Sequence, residues 1–139
     1  MDNNTHLPSI RTQTDLHALW TTLMEPLGFS GTSLWFAPLA PDGHPLGQVT
    51  EVADLPSDPP GRLDALVGLI TAAYGDAGDL SVAFLLSRPG RSAISADDAR
   101  WAQGLAEAAH RAALRIWPVH LASNESVVVI PPDAIADAV

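Results

Sequence analysis

The sequence predicts an α/β fold: a mixed β-sheet with helices packed on its faces, in the order α-β-β-α-β-α-β-β. Three observations carry this. Apolar residues recur at helical spacing in three stretches, around residues 14–27, 62–74 and 95–115. Between and after them lie short β-branched or aromatic runs bounded by Gly, Pro, Asn and Asp. Hairpins alternate with crossover helices, which gives a mixed sheet rather than a purely parallel one.

Residues 1–11 are polar and read as a loose tail, followed by one α/β domain over 12–132 and a C-terminal turn or tail at 133–139. In the first helix Leu16, Leu19, Trp20, Leu23, Met24 and Leu27 form one stripe. Thr12 or Thr14 can cap it, and Gly28 suits the turn beyond its end. Thr32–Ala37 and Gln48–Val52 read as a hairpin around Asp42-Gly43, its second strand half-exposed. Asp54–Gly61 is a proline-rich connector. A second helix runs from about Arg62 to Tyr74 and stops at the glycines of 75–78.

Leu80–Leu86 is apolar nearly throughout, which suits a central strand covered on both faces. After Arg88-Pro89-Gly90-Arg91, Ser95 is a strong N-cap, and Asp97 and Asp98 complement the dipole of a helix reaching about Arg115. Trp117–Ala122 and Val127–Ile130 read as the last two strands, joined by a turn at Ser123–Ser126.

Composition removes several classes of function. The chain has 139 residues, no cysteine and a net charge of −9, so disulfides and cysteine-held metals are excluded and phosphate-backbone binding is not expected. No apolar run is long enough for a membrane span, and the first residues lack the features of a secretory signal, so a cytoplasmic location is expected. All seven positive side chains are arginine, and five of them fall between Arg88 and Arg115 against only Asp97, Asp98 and Glu107. A local basic face on an acidic chain suits an anionic ligand or an acidic partner, or else solvates one face of a helix.

The unit strand, Arg88-Pro89, Ser95-x-x-Asp98, helix resembles the JAB/MPN fold, especially its RadC-like branch. That family holds zinc with the two histidines of His-x-His-Pro and the aspartate of Ser-x-x-Asp, while a glutamate handles the proton of the metal-bound water. Pro89, Ser95 and Asp98 match the motif, whereas Leu86 and Arg88 stand in the histidine positions. The gap from Pro89 to Ser95 is one residue shorter than the family's, and only Glu25 and Glu51 lie early enough to supply the glutamate. Leucine cannot ligate zinc, and a guanidinium would repel it. The resemblance therefore implies a domain whose metal site is gone.

Read from the residues alone, Arg88 and Arg91 flank a turn ahead of a helix N-terminus, where an anion would be favoured. The competing reading pairs these arginines with Asp97 and Asp98. The five histidines show no ligand spacing; His120 alternates with Val119 and Leu121 and is expected near Glu51 or Ser87. Trp101 lies beside Arg100 close to the arginine loop, a pairing common at binding hot spots. The candidate binding residues are thus Arg88, Arg91, Ser95, Asp98 and Trp101, with no catalytic residue, metal or cofactor expected.

The expected function is a non-catalytic interaction domain that dimerises or docks a protein partner. The alternative is a small-molecule or anion sensor of GAF/PAS type, using the Arg88–Arg91 loop and an apolar pocket. A metal-free hydrolase is a third class, and would need a serine–histidine pair at a cleft. No nucleic-acid or membrane partner is expected.

Overall fold

The computed structural model describes residues 9–55, 63–74 and 79–130. Its elements are α1 (Gln13–Met24), β1 (Ser33–Leu39), β2 (Thr50–Val52), α2 (Leu63–Tyr74), β3 (Ser81–Ser87), α3 (Ala96–Arg111), β4 (Arg115–Ile116), β5 (His120–Ala122) and β6 (Val127–Val129). The predicted order holds, with the short β4 as an addition. The sheet runs β2-β1-β3-β5-β6, and β4 also pairs with β3. β1 is antiparallel to β2 and β3, β5 is parallel to β3, and β6 returns antiparallel to β5.

β3 is the central strand. Its side chains from Val82 to Ser87 are all buried, which is why the run lacks alternation. Val82, Phe84 and Leu86 join Leu34 and Phe36 of β1 beneath α2 and α3. Ala83 and Leu85 face the other way, packing with Ala37, Leu39 and the Leu16, Leu19, Trp20 and Met24 stripe of α1. Each face of the sheet thus has its own apolar layer, as strand alternation requires.

α1 opens with a capping box: the Thr12 hydroxyl accepts from the Asp15 N–H, and the Asp15 carboxylate accepts from the Thr12 N–H. It stops at Met24, one turn sooner than the apolar stripe suggests. The Glu25–Pro26 peptide is cis, and Leu27 packs on the core from outside the helix.

Three local expectations are corrected. Ile10, read as tail, is buried at the edge of the α1 layer, and its N–H donates to the Gly43 carbonyl at 2.9 Å. Gly43 has φ 91°, and a Cβ there would lie 2.3 Å from the Ile10 carbonyl oxygen, so only glycine fits beneath this contact. β2 is exposed throughout rather than alternating; Val49, just before it, makes the inward contact.

Finally, α3 ends at Arg111 instead of about Arg115. Ala113 takes φ 55°, the Leu114 N–H reaches the Ala109 carbonyl at 2.8 Å and the Ala113 N–H reaches that of His110 at 3.1 Å. This is a Schellman stop built on alanine rather than glycine. It frees Arg115–Ile116 to pair with β3. The predicted tail at 1–8, most of the connector, the stop at 75–78 and the turn at 133–139 lie outside the described residues.

Candidate functional site

At the C-terminal end of β3 the chain continues the ladder for one more residue, the Arg88 N–H donating to the Ala122 carbonyl at 3.0 Å. This aims the Arg88 side chain beneath the start of α3. Ser95 caps that helix by the same reciprocal box as Thr12, its hydroxyl accepting from the Asp98 N–H at 3.1 Å while Asp98 Oδ2 accepts from the Ser95 N–H at 2.9 Å. The box turns the Asp98 carboxylate back into the protein, where only 5% of the side chain is exposed.

Arg88 closes on it. Nε donates to Asp98 Oδ1 at 2.8 Å and Nη2 to Oδ2 at 2.7 Å, a bidentate fork. The remaining donors go to the loop: Nη1 to the carbonyls of Pro89 and Arg91 at 3.0 and 2.9 Å, Nη2 to that of Ala93 at 2.9 Å. All five guanidinium N–H groups therefore have an acceptor within the chain. Hydrogen bonding to Asp98, opposed by burial, raises the Arg88 pKa above its ordinary value.

The same loop is tied from outside. The Ser92 N–H donates to Glu125 of the β5–β6 turn at 2.6 Å, and the Asn124 N–H donates to the Gly90 carbonyl at 3.1 Å. Asn124 in turn accepts from the Phe29 N–H at 2.9 Å. Residues 88–95 thus form a braced loop.

The structure brings together three of the five candidate residues: Arg88, Ser95 and Asp98. The Arg91 side chain is exposed, with its carbonyl turned to Arg88. An anion at this loop would meet Arg91 and none of the Arg88 donors. Trp101 is 3% exposed and belongs to the core beneath α3, so its place is in the interior rather than at a surface hot spot. Asp97 pairs with Arg100 on the helix surface.

The partners foreseen for His120 are engaged elsewhere: Glu51 accepts from the Ser33 hydroxyl, and the Ser87 hydroxyl from the Trp35 indole. His120 lies instead under α1, its ring 6.1 Å from that of His17. Its Nδ1 donates to the Pro118 carbonyl at 3.1 Å, which fixes the tautomer and leaves a lone pair on Nε2. Among the described residues, His120 Nε2 and Trp20 Nε1 are the buried side-chain polar atoms without a hydrogen-bond partner. Burial, with a smaller contribution from His17, lowers the His120 pKa to about 4.

Clefts open at the surface among the described residues. One of about 430 Å³ lies between α1 and β6 and is lined by Gln13, Thr14, His17, His120 and Val127–Val129. Two others, about 350 and 260 Å³, share Pro41, Ser81 and Trp117 at the opposite end of β3 from Arg88. Neither Trp35 nor Phe84 lines these clefts. Among the described residues no group of three or more His, Asp or Glu side chains could hold a metal, and no helix is long and apolar enough to cross a membrane. No protein-family model, no curated protein and no solved structure matches this chain.

Proposed function

We propose that this chain is a non-catalytic interaction domain that self-associates through the outer face of α2. The observation that carries the reading is Leu69, 70% exposed in the middle of a helix. Around it the outward positions are Ala65, Gly68, Ala72 and Ala73, none of them charged. The one acid on α2, Asp64, is held by Arg111 of α3 at 3.0 Å. In a chain of net charge −9, an uncharged apolar face is where two copies approach with least repulsion, and small residues allow helices to pack closely.

A JAB/MPN-like origin belongs to the same reading. Leu86 of β3 and Arg88, in the residue that continues its ladder, lie two positions apart towards the sheet face that α3 covers, and Arg88 meets Asp98 there. The ion pair joins two of the positions that the resemblance gives to a metal. What supports a silent domain is that the pair has no donor left for substrate. A cytoplasmic location accompanies this reading and rests on composition alone.

Sedimentation velocity tests the proposal. The expected result is a dimer at micromolar concentration that becomes monomeric in Leu69→Asp, with an unchanged circular dichroism spectrum. A wild-type chain that stays monomeric at the highest attainable concentration would overturn it.

A further inference from the structure

β6 is the last strand of the sheet, and its outer side borders the cleft beneath α1. The ladder tells which of its backbone groups turn outward. Ser123 and Ser126 are hydrogen-bonded opposite each other, the Ile130 N–H reaches the Val119 carbonyl, and the register pairs Leu121 with Val128. In an antiparallel ladder bonded pairs alternate with unbonded ones. Val128 therefore turns its N–H and C=O towards β5, while Val127 and Val129 turn theirs to the open side.

One of these outward groups is in use. The Val127 carbonyl accepts from His17 Nε2 at 2.9 Å. The Val129 N–H and C=O face the groove one step along. α1 forms its wall through Gln13, Thr14 and His17, and His120 lies beneath, fully buried with Nε2 unpartnered. Among the described residues no aspartate, glutamate or arginine lines this groove, although the chain carries sixteen acids.

We propose that the α1–β6 groove docks an uncharged, extended peptide segment from a partner protein, which adds to β6 as a further strand. Backbone pairing to Val129 supplies the attachment, and alternate side chains of the segment meet the valines. An uncharged groove on an acidic protein favours an uncharged segment, because a buried charge would find no counter-charge among the lining residues. This surface is distinct from the α2 face, so either proposal can fail without the other.

The probe is the blocked peptide Ac-Thr-Val-Thr-Val-Thr-NH2, titrated into the full-length ¹⁵N-labelled protein. Saturable shifts centred on the amides of Val127–Val129 and on the ring signals of His17 and His120 are expected. Replacing the central threonine of the peptide by proline should weaken binding about tenfold or more by removing a ladder donor. Thr14→Arg, an exposed change that leaves the core intact, should do the same. Absence of saturable shifts at millimolar peptide would overturn the proposal, as would shifts centred elsewhere. Shifts of β6 amides on raising protein concentration without peptide would assign the edge to a second copy and overturn it as well.

Discussion

Arg88 and Asp98 form a bidentate ion pair, 2.7 Å at its closest, that locks the loop after β3 to the first turn of α3. Both partners are mostly shielded from solvent, so the pair is not a screened surface contact. Its strength lies in completeness: carboxylate, helix cap and three loop carbonyls share one guanidinium. Arg88→Ala leaves a buried carboxylate unpaired, and the expected loss is about 3 kcal/mol in urea unfolding. Arg88→Lys keeps the charge but lacks the planar fork and has two fewer donors, so it should recover only part of this. A loss below about 1 kcal/mol in Arg88→Ala would show that the loop holds itself.

The same geometry makes the resemblance to the JAB/MPN fold testable by restoration. In Leu86→His/Arg88→His, two imidazoles would join Asp98 on the α3 side of the sheet, three ligands of the kind catalytic zinc sites use. The double variant is expected to bind one zinc per chain by metal analysis after dialysis, and the wild-type chain none. A folded double variant that fails to retain zinc would make the likeness coincidental.

His120 should make stability depend on pH in a defined window. Its folded pKa, about 4, lies below the unfolded value of about 6.5, so the unfolded chain binds the proton more readily between these values. Stability is therefore full above about pH 6.5 and falls as pH drops towards 4, by at most about 3 kcal/mol. Chemical denaturation across this range should show the slope in the wild type and a flatter profile in His120→Leu. Equal slopes in both proteins would assign the effect to other groups.

Ala113 sits at the left-handed position of the α3 stop, where glycine avoids the Cβ clash. Ala113→Gly should stabilise the protein by roughly 0.5–1 kcal/mol, read as a rise of a few degrees in Tm. An unchanged or lower Tm would mean that gained chain entropy in the unfolded state cancels the relief.

Much of the fold is legible because burial imposes a period: the α1 stripe, the unbroken apolar run of β3 and the Ser95 cap each carry a local signal. What is missed has none. A Schellman stop on Ala113 lacks the glycine that would mark it, and Ile10, with Leu7 the one other large apolar residue near it, lies in a segment too short to show a helical or strand period. At the site, Ser95-x-x-Asp98 is visible as a capping box, and pairing of Arg88 with an aspartate is one of two readings the sequence allows. Whether Trp101 faces inward is not written beside Arg100, because one helix turn can present it either way. The His17–His120 meeting and the bond from His17 to Val127, 110 residues away, depend on how the strands are ordered. The one hint is the alternation of His120 with Val119 and Leu121, which puts it on the opposite face.

The pairing of β1 with β3 runs through seven consecutive residues and joins the first hairpin to everything after α2. Neither side of that seam owns a closed core: β1 and α1 without β3 expose Leu34, Phe36 and Trp20, and β3 without β1 exposes Phe84 and Leu85. The seam between β1 and β3 is therefore where the two halves of the chain depend on one another for cover, and a break between β2 and α2 would leave apolar surface on both sides that only the other half matches.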